Sequence, residues 1–381
     1  NFDVSNVSNM NSMFYSCKSL ERLDLSSFIT SKVDNMDSIF SQCQSLIYLD
    51  ISNFDTSKLT SMDNLFDECS SLTSLDISSF KTTNVKSFYS MFRRCPNLLS
   101  LDLSRFDTSN AITLDSMFSG CYSLQKVNVS SFDTSKVTSM TDVFGNCLSL
   151  KSLDVSNFNT NEVIYMSNMF FNCSSLIQLN LDNFIGKKVI SFISMFKNCE
   201  RLISIKLSNL ESNPKRIDSM FENCYFLEYL EMPKLITDNI ESTQHLFENC
   251  YSLKSIKMDF SFKSLKMLDS TFKNCFSLTS IDLSNFKSNN LQSLNSAFEN
   301  CIYLNSLNLS NFITDNVYYM DNVFNNCTRL TKLIVPFNTE NTIVMRNMFG
   351  SCVQLTSLDI STFNTKNVKN FTKIGRASCR E

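Results

Sequence analysis

The stretch VDNMDSIFSQCQSLIYLDISNFDT, residues 33–56, holds the pattern on which the whole chain is built. Its Phe40, Cys43 and Leu46 are spaced F-x-x-C-x-x-L, and the same spacing recurs at Phe14/Cys17/Leu20, Phe66/Cys69/Leu72 and onward to Phe349/Cys352/Leu355. The cysteines fall at 17, 43, 69, 95, 121, 147, 173, 199, 224, 250, 275, 301, 327 and 352, so fourteen copies follow one another in steps of 25 or 26 residues. Self-similarity at such a period marks a solenoid, in which each copy is one coil of a stack.

Two periodicities alternate within a copy. Val33, Met36, Ile39, Phe40 and Cys43 form an i, i+3, i+6, i+7, i+10 series that predicts the buried face of a short helix, with Asp34, Asn35, Asp37 and Ser38 on its polar face. Thr30 or Ser31 is placed to cap its first turn, and Asp34 and Asp37 suit its positive end. After Cys43 the period changes: in L-x-x-L-D-I, Leu49 and Ile51 alternate with Tyr48, Asp50 and Ser52, as in a short strand with one buried face. Phe54 then closes the turn. The L-x-x-L-x-L core resembles a leucine-rich repeat. The expected fold is an α/β, leucine-rich-repeat-type solenoid with parallel short strands on one face and short helices on the other. One copy buries too little to offset its own ordering, so stability must come from stacking.

A chain of 381 residues ordinarily suggests two or three globular domains. The unbroken period assigns instead a single solenoid over 1–371. The first copy begins part-way through the pattern, and no polar capping unit is visible at either end, so truncation at both ends is expected. Residues 374–381, IGRASCRE, resemble one reading frame of a sequencing adapter and are set aside with Cys379. Gly (5) and Pro (4) are scarce, leaving Ser and Asn to make the turns. Lys plus Arg number 34 against 37 Asp plus Glu, and a net charge of −3 offers nucleic acid no global attraction. No run of 18 apolar residues is present to span a membrane.

The repeat also argues against an enzyme. Fourteen cysteines share one position, three residues after a core Phe. That position suits a small buried thiol; disulfides between neighbouring coils and metal binding are the alternatives. His245 is the only histidine, there is no C-x-x-C pair, and no cofactor is expected. His245 stands where other copies carry Ser38, Asn64 or Ser116, a slot expected to face solvent. There is no Gly-rich phosphate loop.

Two sets of residues stand out as candidate sites. Between the two apolar strand positions lies an outward row that begins Asp24, Asp50, Asp76, Asp102. Four aspartates about 4.8 Å apart repel one another, so either the neighbouring Ser26, Ser52, Ser78 and Ser104 solvate them or a basic partner or calcium does. The second set lies where the regularity fails, between Lys187 and Lys273. There the row reads Lys206, Glu231, Lys257, and the slot after Cys, polar in early copies, becomes Tyr225, Tyr251, Phe276 and Ile302. Lys187, Lys188, Lys215, Arg216, Lys234, Lys254, Lys263 and Lys266 make the segment locally basic. Aromatics beside cations are what interaction surfaces enrich; drift in a tolerant array is the alternative. Asn-x-Ser/Thr sequons occur at Asn6, Asn128, Asn172, Asn308, Asn326 and Asn370, as an Asn- and Ser-rich chain produces by chance.

The full unit, F-D-T-S-x-V-x-x-M-x-x-M-F-x-x-C-x-x-L-x-x-L-D-L-S-x-F, runs nearly whole from Phe132 through Phe158 and resembles the BspA-like leucine-rich-repeat surface proteins. Leu210, Leu235 and Pro336 depart from it locally. The resemblance implies a microbial cell-surface or secreted protein that adheres to proteins of a host or neighbouring cell, with no catalytic residues to carry over. The alternative is a cytoplasmic leucine-rich-repeat adaptor, because unpaired thiols suit a reducing compartment.

Overall fold

The computed structural model describes residues 3–372 and 374–375; Cys379 and most of the adapter-like segment lie outside them. The chain divides into two compact units, Asn1–Lys188 and Val189–Glu381. The first contains β1 (Arg22–Asp24), β2 (Tyr48–Asp50), β3 (Ser100–Asp102), β4 (Lys126–Asn128), β5 (Ser152–Leu153) and β6 (Gln178–Leu179). The second contains β7 (Ser204–Lys206), β8 (Tyr229–Met232), β9 (Ser255–Met258), β10 (Ser306–Asn308) and β11 (Lys332–Ile334).

Every strand pairing is parallel and joins equivalent residues of consecutive coils, as in Leu23 with Leu49 and Leu230 with Ile256. The strands are short because only the L-D-L segment alternates. Leu101 and Ile205 point inward while their neighbours stay in solvent. The amide of Phe54 bonds to the Ile51 carbonyl at 3.0 Å and turns the chain away.

Opposite the strands, the expected short helices are not present: no described residue is helical. The segment from Met36 to Leu46 is a run of overlapping turns. Ile39, Ser41 and Cys43 each bond the carbonyl three residues back, at 3.1 Å, while the amides between them leave the coil. Ser38 donates to Asp63, Phe40 to Leu65 and Gln42 to Asp67 of the next coil, at 2.9, 3.2 and 2.7 Å. A helix would have spent those amides internally. The geometry needs left-handed residues, and Ser38 (φ 57°) and Gln42 (φ 62°) supply them, as do Asn64 and Glu68 one coil later and Asn322 and Asn326 far along the chain. Thr30 is likewise no helix cap. Its carbonyl accepts the Val33 amide, and its hydroxyl meets both the carbonyl and the amide of Asp55 in the next coil.

Each unit thus has hydrogen bonds between coils on two sides, and the core lies between them. Phe14, Phe40, Phe66, Phe92, Phe118, Phe144 and Phe170 stack at 5.4–5.9 Å with planes within 9° of parallel. In the second unit Phe196 to Phe349 stack at 5.4–5.8 Å. These are the offset separations aromatic rings favour. Among the described residues no helix is long and apolar enough to cross a membrane.

Candidate functional site

The cysteine column lies inside the core. None of the described cysteines forms a disulfide, and only Cys17 is exposed. The Cys69 thiol donates to the Phe40 carbonyl of the preceding coil at 3.2 Å, and Cys95, Cys121 and Cys147 repeat the contact with Phe66, Phe92 and Phe118. Burial pushes the thiols up, Cys43 to about 11 and Cys121 to about 12, so they stay protonated. No described group of three or more His, Cys, Asp and Glu side chains is arranged to hold a metal ion.

The acidic row lies on the strand face of the first unit. Asp24 stands opposite Asp50 in the β1–β2 register, Asp102 ends β3, and Asp76 occupies the equivalent place in a coil without an assigned strand. Each carboxylate accepts the backbone amide two residues on: Ser26 at 2.9 Å, Ser52 at 3.1 Å, Ser78 at 3.0 Å and Ser104 at 3.0 Å. Hydrogen bonds from Ser26, from Ser78 and from Ser104 hold Asp24, Asp76 and Asp102 below the usual carboxylate range. These aspartates shape the exit from each strand as Asx-turns.

In the second unit Lys206, Glu231 and Lys257 are neighbours in the β7–β8–β9 register, and Lys257 Nζ lies 3.6 Å from Glu231. The row alternates in sign here, where its counterpart in the first unit is acidic or neutral throughout: Asp24, Asp50, Asp76, Asp102, Asn128, Asp154 and Asn180. Tyr225 and Tyr251 stack at 5.0 Å, and Tyr251 and Phe276 at 4.9 Å, both pairs with planes 11° apart. Ile302 takes the next place in that column. The column is largely half-buried, with only Tyr251 counting as exposed, at 37%.

Two residues that sequence reasoning missed lie between the aromatic column and the charged row. Phe226 is 59% exposed, and Tyr229, 48% exposed, shares the outer face of β8 with Glu231. The Lys254 ammonium sits 5.8 Å from the centre of the Tyr229 ring and 2.8 Å from Glu228. Both aromatics stand in columns that are otherwise mostly polar, which was the available signal. Beside them, Pro233, Ile256, Lys257, Met258, Asp259 and Asp282 help line an open groove of about 410 Å³.

The local basic charge read between Lys187 and Lys273 is met largely by acids one coil away. Lys197 pairs with Glu222 at 2.8 Å, Lys263 with Asp238 at 2.6 Å and Lys266 with Glu241 at 2.9 Å; Lys234 lies 3.4 Å from Glu211. These side chains are partly solvated, so each pair adds little to stability while offsetting positive charge locally. What distinguishes the segment is its aromatic content.

Comparison with known proteins places the chain. None of the curated proteins matches it in sequence. Among solved structures, a leucine-rich repeat protein from Bacteroides ovatus is similar, at 19% identity and a TM-score of 0.62 over 96% of this chain and 87% of that one. A leucine-rich cell surface protein from Faecalibacterium prausnitzii (19% identity, TM-score 0.31, 70% of this chain and 80% of that) and a leucine-rich repeat protein from Eubacterium ventriosum (13%, 0.37, 94% and 83%) also match. The likeness to the Bacteroides ovatus protein supports a parallel-strand solenoid of leucine-rich-repeat type. The model of the family described as "Mycoplasma protein of unknown function, DUF285" matches residues 1–48, 21–127, 121–229, 215–307 and 292–378. With a repeat of about 26 residues matched along nearly its whole length, the chain belongs to this DUF285, BspA-like family.

Proposed function

We propose that the protein is a non-enzymatic scaffold at the microbial cell surface that binds a protein of a host or neighbouring cell, and that the second unit supplies the contact. The observation that carries this reading is the mixed surface of Phe226, Tyr229, Tyr251 and Lys254 beside the Lys206–Glu231–Lys257 row. Large exposed rings on a rigid backbone, tyrosine above all, are what binding hot spots enrich, and the lysines beside them add charge for steering a partner. The surface location follows from the BspA-like resemblance. The acids of the first unit are already engaged in shaping turns.

The test is a pull-down of surface-extract proteins with the full chain and its variants. Tyr251→Ala or Phe226→Ala is expected to weaken capture by about tenfold or more, the scale of a hot-spot truncation. Charge reversal at Lys206 and Lys257 is expected to weaken it more than reversal at Asp24 and Asp50. Equal losses from both pairs would remove the localised site.

A second reading, an intracellular adaptor, is favoured by the unlinked cysteine column, which suits a reducing compartment. Thiol counting on protein taken from its native compartment, together with fractionation of the cells, separates the two.

A further inference from the structure

We propose that His245 is a protonation switch for the turn ridge of the second unit: as the imidazolium it holds together the coils that present Tyr225 and Tyr251, and as the neutral imidazole it releases them. The inference rests on the reading above that Tyr251 and the side chains beside it meet the partner, and it adds a pH dependence to that contact.

The geometry begins with the column two residues before each cysteine. Through successive coils it reads Lys197, Glu222, Glu248, Lys273, Glu299. Lys197 closes on Glu222 at 2.8 Å, and Lys273 lies between Glu248 and Glu299 at 3.7 and 3.6 Å. Glu222 and Glu248 are therefore adjacent like charges whose side chains are only 16% and 15% exposed, where repulsion is weakly screened.

His245 is the third group at this point. Its Nδ1 is hydrogen-bonded to Glu248 Oε2 in its own coil. The flanking residues of its own column, Ser219 and Ser270, are uncharged, as are the Ser and Asn residues that fill this place in the other coils apart from Asp142. The remaining charges around it are Asp269, which accepts Gln244 Nε2 at 3.1 Å, and Asp218, held by Arg216 at 2.8 Å and by the Ser242 hydroxyl. Lys197 opposes protonation of the ring, while Glu248 and Glu222 favour it. The acids prevail. The hydrogen bond to Glu248, ahead of the cost of burial, raises the His245 pKa above its ordinary value.

A pKa raised by folding fixes the sign. The imidazolium adds stability that is fully present below the ordinary histidine pKa of about 6.5 and is lost as pH rises through the raised, folded value. The loss reaches the aromatic column by a short route. Glu222 precedes Tyr225 by three residues and Glu248 precedes Tyr251 by three, with Asn223, Asn249 and the paired backbone between.

Because the chain contains one histidine, a carbon-13 label in its imidazole gives a single signal from the full-length protein. The expected midpoint lies above about 6.5 and falls in Glu248→Gln. Hydrogen exchange of residues 219–251, corrected for the intrinsic pH effect, is expected to show lower protection at pH 8.5 than at pH 6. In His245→Asn that difference should vanish; asparagine keeps the left-handed backbone, as Asn64 and Asn322 do in equivalent places. A midpoint at or below the ordinary value overturns the proposal, as does a pH-dependent loss of protection that persists in His245→Asn. Neither readout needs a partner, so their failure is distinct from failure of the binding reading.

Discussion

At the scale of single residues, the left-handed backbone positions explain much of the composition. Each coil has two at fixed places, one two residues before the core Phe and one immediately before Cys, and Asn fills the second from Asn146 through Asn326. For most side chains the left-handed region costs about 1–2 kcal/mol, and Asn is among the few that visit it readily. Asn also links coils. Asn274 Nδ2 donates to Asn249 Oδ1 at 2.6 Å, and Asn274 Oδ1 accepts Asn300 Nδ2 at 2.6 Å. Asn172 and Asn326, which lie in sequons, donate their side-chain amides to Asn146 and Asn300 in the same way, so a glycan would sit on the very nitrogen that makes the link. Asn274→Val loses both bonds and forces a β-branched residue to φ 62°, and should destabilise by about 2–4 kcal/mol in urea denaturation. Asn274→Gly loses the same bonds but tolerates the angle, and should cost about half as much. Equal losses would show that the backbone angle carries none of the cost.

At the scale of one coil, the strand was legible and the opposite side was not. Leu49 and Ile51 alternate with Asp50 and Ser52, and a period of two has one structural meaning. Met36, Ile39, Phe40 and Cys43 have the spacing of a helix face, but overlapping turns closed every two or three residues place apolar side chains at nearly the same intervals. What separates the two structures is whether alternate amides stay in the coil or cross to the next, and that depends on a neighbour 25 or 26 residues away. The local sign was the recurring Ser and Asn at Ser38, Asn64 and Ser90, residues that favour turns over helix interiors. The aromatic column at Tyr225, Tyr251 and Phe276 was legible because it interrupts a polar slot. The neutralisation of Lys263 and Lys266 was not, because their partners Asp238 and Glu241 become neighbours only in the folded coil.

The threonine that precedes the turn ridge tests this linkage within the first unit. Thr82 is 1% exposed; its hydroxyl donates to the Asp107 carbonyl at 2.9 Å and accepts the Asp107 amide at 2.8 Å. Thr56, Thr108 and Thr134 make the same donation to Lys81, Asp133 and Asn159. Thr82→Val keeps the shape and leaves two backbone groups unpaired, at about 1–3 kcal/mol each. Thr82→Ser keeps both bonds and loses one methyl, about 1 kcal/mol. Equilibrium unfolding should rank wild type above Ser above Val. A Val variant as stable as Ser would mean that the inter-coil hydroxyl bonds contribute nothing.

For the whole molecule, the decisive question is what a coil retains without its neighbours. Residues 132–158 contain one nearly complete copy. The amides of Met140, Asp142, Phe144 and Asn146 donate to Tyr165, Ser167, Met169 and Phe171, and the carbonyls of Ser139, Thr141, Val143 and Gly145 accept from Leu114, Ser116, Phe118 and Gly120. All of those partners lie outside the segment. β5 pairs with β6, Phe144 stacks on Phe118 at 5.4 Å and on Phe170 at 5.8 Å, and the Cys147 thiol bonds to Phe118. What remains inside is a handful of turn bonds, such as Val137 to Thr134 and Cys147 to Phe144. Isolated turns do not repay the entropy of fixing the chain, and stability in a repeat array resides largely in the interfaces between units. A synthetic peptide of residues 132–158 should therefore give the circular dichroism and narrow amide dispersion of a disordered chain at any temperature, while the same residues in the full chain are protected from exchange. A folded peptide would place the stability inside the coil and leave the inter-coil bonds, the asparagine links and the stacked rings without the role assigned to them.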